Sequence, residues 1–195
     1  MTAERLPEAA PRLEELVREL LLQLGEDPSR DGLAGTPSRV ARSLQFLTNG
    51  SRQDPVEILR GALFPSDVDQ MVLLRDLEFY SLCEHHMLPF YGRCHIAYVP
   101  DGKIVGLSKL GRVVDSLSRR LQVQERLTAE IAGAIQQAVQ PKGVGVVMEA
   151  HHLCMMMRGV EKQASLAVTS CMLGRFKQDA RTRGEFLQLI KERNA

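Results

Sequence analysis

Apolar residues recur every three or four positions in five stretches of this chain, which is the spacing of helices that bury one face. The first stretch stops at Gly25 and the second stops before Asn49-Gly50, residues that disfavour helix. Thr36-Pro37 is typical of an N-cap followed by proline in the first turn, and Ser108 is predicted to cap the third helix. The pattern therefore predicts helices over residues 13–24, 36–47, 108–121, 124–139 and 179–190.

Runs rich in Val, Ile, Leu and aromatic residues separate these helices and predict strands over residues 70–80, 90–99, 103–107, 144–152 and 164–173. The second and third strands are joined by Pro100-Asp101-Gly102 and are predicted to form a hairpin. Strand pairs that alternate with helix pairs indicate an α+β fold, an antiparallel sheet with helices on one face. We expect an N-terminal helical region over residues 1–65 and a sheet-containing domain over residues 66–195, together as one structural unit.

Length and charge exclude several classes of protein. A chain of 195 residues fits one domain that can bury a core without disulfides. The 25 basic and 24 acidic residues leave a formal net charge of +1, so we expect no nucleic-acid partner and no anionic membrane surface. Apolar runs are too short to span a bilayer, and residues 1–5 lack the pattern of a signal peptide. We therefore expect a cytoplasmic protein with reduced cysteines.

Two clusters of cysteine and histidine, far apart in the sequence, indicate a transition-metal site. Cys83-Glu84-His85-His86 sets a cysteine and a histidine three positions apart, and His152 and Cys154 offer donors from a second stretch. Thiolate sulfur and imidazole nitrogen are the ligands that Zn²⁺ prefers. These residues leave two interpretations open, a closed zinc site that stabilises the fold and an open catalytic site. Cys94 and Cys171 lie in alternating apolar stretches and are predicted to be small buried side chains.

Further polar groups offer binding chemistry, and each also has an ordinary structural explanation. Gly106-Leu107-Ser108-Lys109 lies at a strand-to-helix junction, where free N–H groups favour an anion that Arg112 and Arg158 would also attract. Glu125, beside Gln124 at a helix start, has the acceptors to read the N1–H and amino group of guanine. A capped helix with a basic first turn and a helix with an acidic first turn explain the same residues without any ligand.

Four motifs, in this order along the chain, together resemble GTP cyclohydrolase I. They are Cys83-Glu-His-His-Met-Leu-Pro-Phe90, Gly106-Leu-Ser-Lys109, Gln122-Val-Gln-Glu-Arg-Leu-Thr128 and His152-Leu-Cys-Met-Met-Met-Arg-Gly159. The resemblance implies an enzyme that opens the purine of GTP, releases formate and recloses the ring as 7,8-dihydroneopterin triphosphate, the first step of tetrahydrofolate and pterin biosynthesis. It also implies the tunnelling fold, in which subunits join their sheets into five-membered rings. Two such rings stack into a homodecamer whose active sites lie between subunits.

The resemblance also assigns roles to individual residues by position. The ligands of one Zn²⁺ per subunit correspond to Cys83, His86 and Cys154. This leaves the fourth ligand position to water, which is the open geometry of a catalytic site. Catalytic positions correspond to His85 and His152, which transfer protons, and to Ser108, which lies near the ribose.

Substrate contacts follow from the same resemblance. The guanine edge corresponds to Gln124 and Glu125. The triphosphate contacts correspond to Lys109, Arg112 and Arg158. Arg39 and Arg42 by themselves fit a solvated helix face, and the resemblance makes them basic positions that a neighbouring subunit contributes to the phosphates.

One segment departs from the family pattern, and two other interpretations stay open. Residues 163–168 are less polar than the same segment of many relatives, which puts in doubt the contacts that those polar side chains make. The first alternative is a tunnelling-fold enzyme that uses Cys83 or Cys154 as a nucleophile on a pterin-like or deazapurine substrate. The second is a zinc-stabilised, nucleotide-binding regulator in which His152 closes the tetrahedron.

Overall fold

The computed structural model describes residues 10–191 in two compact units, with the boundary after Asn49. Residues 1–9, where the sequence predicts no signal peptide, and residues 192–195 lie outside the described part. In the first unit, helices α1 (Pro11–Gln23) and α2 (Thr36–Leu47) pack against each other, as their apolar spacing predicts. Gly35 rather than Thr36 is the N-cap of α2. Within residues 10–191, no helix is both long and apolar enough to cross a membrane.

A five-stranded sheet forms the centre of the second unit. Its strands are β2 (Val72–Cys83), β3 (Pro89–Val99), β5 (Leu121–Gln122), β6 (Gly143–His152) and β7 (Ala167–Gly174). The order across the sheet is β5-β2-β3-β6-β7, and all neighbours are antiparallel except β5, which pairs in parallel with the end of β2. A separate antiparallel pair consists of β1 (Leu63–Pro65) and β4 (Lys103–Val105).

Helices pack on this sheet around two apolar clusters. The helices of the second unit are α3 (Pro55–Arg60), α4 (Leu107–Ser118), α5 (Gln124–Val139), α6 (Leu153–Met156), α7 (Arg175–Gln178) and α8 (Ala180–Lys191). The larger cluster joins α3, α4 and α5 to one face of the sheet. A smaller cluster joins Phe176 of α7 and Phe186 of α8 to Ala97, Val99 and Val147, whose side chains point to the opposite face. The predicted α+β class is confirmed.

Three local predictions are wrong. The sequence predicts a hairpin between residues 90–99 and 103–107, but β4 pairs with β1 because β2 and β6 already occupy both edges of β3. Ser108 does not cap α4, which begins at Leu107 with Gly106 as its N-cap and without a side-chain cap. The last strand begins at Ala167 rather than at Ala164.

A β-bulge interrupts the pairing of β2 with β3 between Leu74 and Leu77. Asp76 in this bulge has a φ of 60°, in the left-handed region that few side chains adopt. Its backbone N–H donates to Nδ1 of the buried His95 over 3.2 Å, and its carboxylate pairs with Arg93 at 3.0 Å. His95 therefore stabilises the β-bulge at Asp76, where the backbone is strained.

Candidate metal centre

Three metal-ligating side chains meet where β2 and β6 end. Cys83 is the last residue of β2, and Cys154 lies in α6, which directly follows β6. Because β3 pairs with both strands, their ends lie at the same end of the sheet. The ligand atoms of Cys83, His86 and Cys154 are all within 4.8 Å of one another. The donor set expected from the sequence is therefore assembled within a single chain.

A tight reversal after β2 brings His86 to this group. The backbone N–H of Met87 donates to the carbonyl oxygen of Cys83 over 2.7 Å, and the N–H of Cys83 donates to the carbonyl oxygen of Leu88 over 2.9 Å. Met87 takes a φ of 55°, again in the left-handed region. As a result, Nδ1 of His86 lies 3.7 Å from the sulfur of Cys83.

The chemistry of these donors fits a zinc ion. Cys83 and Cys154 are only 6% and 9% exposed. Burial, together with the neighbouring Cys83, raises the pKa of the Cys154 thiol above its ordinary value. A coordinated cation removes that cost because it stabilises the thiolate. Two thiolates and one imidazole are ligands that Zn²⁺ favours, and three protein ligands are typical of catalytic zinc.

The other two cysteines do not belong to this group. Cys94 is fully buried in the larger apolar cluster, and burial raises the pKa of its thiol. Cys171 on β7 is partly buried, and burial raises the pKa of its thiol as well. Cys94 confirms the prediction of a small buried side chain, and Cys171 follows it in part.

Two further histidines adjoin the three ligands. Nδ1 of His85 lies 3.9 Å from the sulfur of Cys83, and the side chain is 65% exposed. His152 ends β6, two residues before Cys154, and its ring stacks on Phe90 with centroids 4.8 Å apart and planes 3° from parallel. Burial lowers the pKa of His152, and the negative charge of Glu125 opposes that shift. One histidine is thus open to solvent and the other is held within the fold.

The side chain of Gln124, the first residue of α5, is almost completely buried. Its Nε2 donates to the carbonyl oxygens of Met148 and Ala167 over 3.2 and 3.1 Å. Its Oε1 lies 2.8 Å from Nε2 of His152. The amide therefore connects α5, β6, β7 and the histidine beside the metal ligands.

A second connection holds the loop that carries His85 and His86. Glu84 forms an ion pair with Arg126 of α5, and the hydrogen bond from Arg126 lowers the pKa of the Glu84 carboxyl. Arg126 also donates to Oε1 of Gln122 over 2.9 Å, and the N–H of Glu84 donates to the carbonyl oxygen of Gln122 over 3.0 Å. Through these contacts Glu84 fixes the loop to α5. The sequence alone leaves the role of Glu84 open.

Other predicted substrate contacts are charged but unpaired. Within residues 10–191, no ion pair engages Lys109, Arg112, Glu125 or Arg158. Arg112, Glu125 and Arg158 are exposed, and the charge of Arg158 acts to lower the pKa of Cys154. Ser108 is exposed in the first turn of α4. Charged side chains without an internal partner remain free to bind a charged substrate. The structure gives no direct contact between these side chains and Cys83, His86 or Cys154 within the described residues.

The two arginines of the first unit have different surroundings. Arg39 is exposed, and its guanidinium lies over Gly35 at the start of α2. Nε of Arg42 donates to the carbonyl oxygen of Ser38 over 3.4 Å. Both side chains lie on one helix, as their spacing in the sequence predicts.

A cavity of about 320 Å³ opens elsewhere, on the face of the sheet that α4 and α5 leave uncovered. Tyr80, Tyr91 and His151 form one row across three strands, and Glu78, Arg93 and Glu149 form the next. None of the predicted site residues lines this cavity. This cavity therefore does not mark the candidate metal centre.

The family to which this fold and donor set belong is shown by comparison with known proteins. A family model described as GTP cyclohydrolase I matches residues 13–191. The chain belongs to the GTP cyclohydrolase I family. The resemblance stated from four short motifs is thereby confirmed over most of the chain.

Relatives of this GTP cyclohydrolase I chain agree with the match. A GTP cyclohydrolase 1 of Chlorobium phaeovibrioides is 61% identical over 179 residues, which cover 92% of this chain and 80% of the relative. A GTP cyclohydrolase 1 of Leptospira biflexa is 58% identical over 179 residues, covering 92% and 98%. A crystal structure of the archaeosine synthase QueF-Like in the apo form has a TM-score of 0.45 and 18% identity, covering 53% of this chain and 93% of that one.

Two residues beside the candidate metal centre were not found by reasoning from the sequence. Phe90 forms the surface on which His152 stacks, and Arg126 pairs with Glu84. Phe90 lies in the first motif that carries the resemblance and Arg126 lies in the third. Their position in these motifs was a signal that could have indicated both residues. Spacing along the chain did not reveal it, because each contact joins elements distant in sequence.

Proposed function

We propose that this chain is a zinc-dependent enzyme that hydrolyses GTP to 7,8-dihydroneopterin triphosphate and formate, the first step of tetrahydrofolate and pterin biosynthesis. The observation that carries this proposal is the group formed by Cys83, His86 and Cys154 in a chain whose residues 13–191 match GTP cyclohydrolase I. The enzyme is a hydrolase that acts on carbon–nitrogen bonds of a cyclic amidine.

Cys83, His86 and Cys154 would hold the zinc ion. Zinc with three protein ligands supplies a Lewis acid and lowers the pKa of a water molecule toward ~7. Hydrolysis at C8 of the purine needs water at that carbon and a proton on the departing ring nitrogen. The regulator in which His152 is a fourth ligand has less support, because the group whose ligand atoms lie together within the described residues consists of Cys83, His86 and Cys154 without His152.

The two remaining histidines fit the proton transfers of this reaction. His85 is mostly exposed beside Cys83, so solvent can reach its ring nitrogens and exchange protons with them. His152 is partly buried and oriented by Phe90 and Gln124, so it can give or take a proton in a fixed direction. We assign protonation of the ring nitrogen and opening of the ribose to this pair, with Ser108 beside the ribose.

The unpaired charges fit the ends of the substrate. Of the two residues at the proposed guanine edge, Gln124 and Glu125, only Glu125 is exposed, and its carboxylate can accept from the N1–H and the amino group. The triphosphate would be held by Lys109, Arg112 and Arg158. Arg39 and Arg42 of a neighbouring subunit would complete the phosphate contacts.

The sheet edges support assembly into rings. On one side, β7 pairs with β6 alone, and on the other, β5 covers only the last two residues of β2 among residues 10–191. Unpaired strand edges are templates for pairing with another chain. We propose a homodecamer of two stacked pentamers with active sites between subunits. A reducing, cytoplasmic location suits this site, because a disulfide between Cys83 and Cys154 would remove two zinc ligands.

The direct test is turnover of GTP by zinc-loaded protein. Formate release and the fluorescence of the oxidised pterin product are followed together, and metal content is measured on the same sample. We expect both products and one zinc per chain. Cys154→Ser should lose the zinc and both products, because two protein ligands rarely retain zinc. Cys171→Ser is the matched control and should keep all three, since Cys171 is a partly buried thiol outside the donor group.

Each other outcome contradicts a particular part of the proposal. Formate without pterin would mean that the purine opens and does not reclose. GTP binding without either product would favour the regulator with a structural zinc. Zinc-independent chemistry that Cys83→Ser abolishes would favour the cysteine nucleophile.

A further inference from the structure

Three hydrogen bonds hold the side-chain amide of Gln124 in place. Gln124 is 2% exposed, and both amide hydrogens can be accounted for by the carbonyl oxygens of Met148 and Ala167. The oxygen Oε1 is left for His152. Both donors of the amide are therefore used within the protein and its oxygen is buried, so the side chain has no free donor for the edge of a guanine.

The two carbonyl oxygens also decide which way the amide faces. A glutamine amide can be turned by half a rotation with little change in shape, and its partners decide the assignment. If the amide of Gln124 were turned, Oε1 would face the carbonyl oxygens of Met148 and Ala167, which cannot donate, so two of the three hydrogen bonds would be lost. The observed orientation is therefore the one with Oε1 toward Nε2 of His152, at 2.8 Å.

This orientation determines the hydrogen on His152. An amide oxygen accepts and cannot donate, so Nε2 of His152 must carry a hydrogen. In the neutral ring the lone pair is then on Nδ1. Stacking on Phe90, with planes 3° from parallel, fixes the ring plane as Gln124 fixes its edge.

We propose that Gln124 is a positioning residue that acts through His152, holding the neutral imidazole with its hydrogen on Nε2 and its lone pair on Nδ1. Guanine recognition then falls to Glu125 of this pair. Gln124 is buried with both amide hydrogens bonded, whereas its neighbour Glu125 is exposed without an ion pair within the described residues. The catalytic part of this inference rests on the proposed GTP hydrolysis, and the position of the hydrogen does not.

The first test compares adjacent residues by kinetics. Gln124→Met keeps the length of the side chain and removes all three hydrogen bonds, so we expect kcat for GTP to fall by about tenfold to a hundredfold, as a misplaced catalytic group would cause. The Kd for GTP should stay near the wild-type value. Glu125→Gln is the matched control and should weaken GTP binding. A rise in Kd for Gln124→Met, with kcat unchanged, would return Gln124 to the guanine edge and overturn the proposal.

A double-variant comparison separates action through His152 from general damage. If Gln124 works through this histidine, Gln124→Met should have no further effect on kcat in a His152→Ala background. Losses in kcat that multiply would show that Gln124 acts independently. Urea unfolding of each variant is measured in parallel.

A spectroscopic test needs neither a Gln124 variant nor turnover. The chain has five histidines, so nitrogen-15 solid-state NMR of histidine-labelled, zinc-loaded protein can resolve each ring, with His152→Ala identifying the signal. We expect the neutral ring of His152 to carry its hydrogen on Nε2. A hydrogen on Nδ1 would overturn the proposal even if GTP is hydrolysed. The expected tautomer without hydrolysis would support the positioning and contradict the function proposed for the site.

Discussion

His95 and His152 lie on adjacent strands of one sheet and share a lowered pKa with the same main cause, which is burial. Their partners differ. His95 accepts a hydrogen bond from the backbone N–H of Asp76 and supports a bulge. His152, which lies two residues before Cys154, instead contacts the side chain of Gln124. The comparison teaches that a shifted pKa marks burial, and that the neighbouring groups decide whether the histidine has a chemical role.

The charges around the two histidines show the same contrast. Near His95, Asp76 and Arg93 form an ion pair with each other. Near the candidate metal ligands, Glu125 and Arg158 influence the pKa of His152 and Cys154 but have no ion pair within residues 10–191. Paired charges stabilise the fold, and unpaired charges beside the ligands are available to a substrate.

Replacing each histidine gives the largest expected difference. His152→Ala should lower GTP turnover by about 10²–10⁴-fold, the usual contribution of a general acid or base, and should keep the zinc. His95→Asn should leave turnover close to wild type, because Asp76 still finds an acceptor. Formate release and metal analysis check both variants. If His152→Ala turns over GTP at the wild-type rate, His152 has no part in the mechanism. If both variants lose turnover equally, the assignment of a chemical role to His152 and a structural role to His95 is wrong.

Replacing the carboxylate that faces each histidine is expected to have a smaller effect. Glu125→Gln removes an anionic acceptor without changing size, and a hydrogen bond to a charged group contributes roughly 1.5–3 kcal/mol, so kcat/KM for GTP should fall by roughly tenfold to a hundredfold. Glu149→Gln is the matched control near His95 and should leave kcat/KM unchanged. Unchanged kinetics in Glu125→Gln would remove Glu125 from the guanine site.

The sequence alone predicted the parts of the molecule that local chemistry determines. Helix α5, which has a continuous apolar stripe, begins and ends at the predicted bounds, whereas α4 ends at Ser118, three residues before the predicted end. The donor set was predictable because Cys83 and His86 are near each other in sequence and few residue types bind zinc. Cys154 completes the set from a second motif, and the order of the motifs made the family recognisable.

The remainder depends on contacts between distant segments. The hairpin error arose because Pro100-Asp101-Gly102 has turn chemistry, whereas the pairing of β4 depends on which strand edges are already occupied. The bulge at Asp76 has no such local signal. The bonds of Gln124 could not be predicted either, because its three partners come from Met148, His152 and Ala167 on two other strands.

Removing the acceptor at the bulge should affect stability and leave catalysis intact. His95→Leu leaves the N–H of Asp76 without its partner, and one intramolecular hydrogen bond contributes about 1 kcal/mol to the free energy of unfolding. His95→Asn, which keeps an acceptor near the position of Nδ1, should recover part of that loss. Urea unfolding of zinc-loaded protein measures both. Equal stability of the Leu and Asn variants would mean that the hydrogen bond to Asp76 does not stabilise the bulge.

The smallest expected effect is a pH dependence specific to His95. Burial lowers the pKa of His95 below 6.5, and this outweighs the opposing charges of Asp76 and Glu149. As the pH falls below about 6.5, the unfolded chain therefore takes up a proton before the folded chain does, and stability is lost until the lower folded pKa is passed. Above that window the contribution of His95 is constant.

His95→Asn cannot take up this proton, so its urea midpoint should fall less than that of wild type between about pH 7 and about pH 5. His152 titrates in both proteins and cancels in the difference. If the urea midpoints of wild type and His95→Asn change by the same amount across this range, His95 keeps an ordinary pKa. The two histidines would then no longer share a lowered pKa.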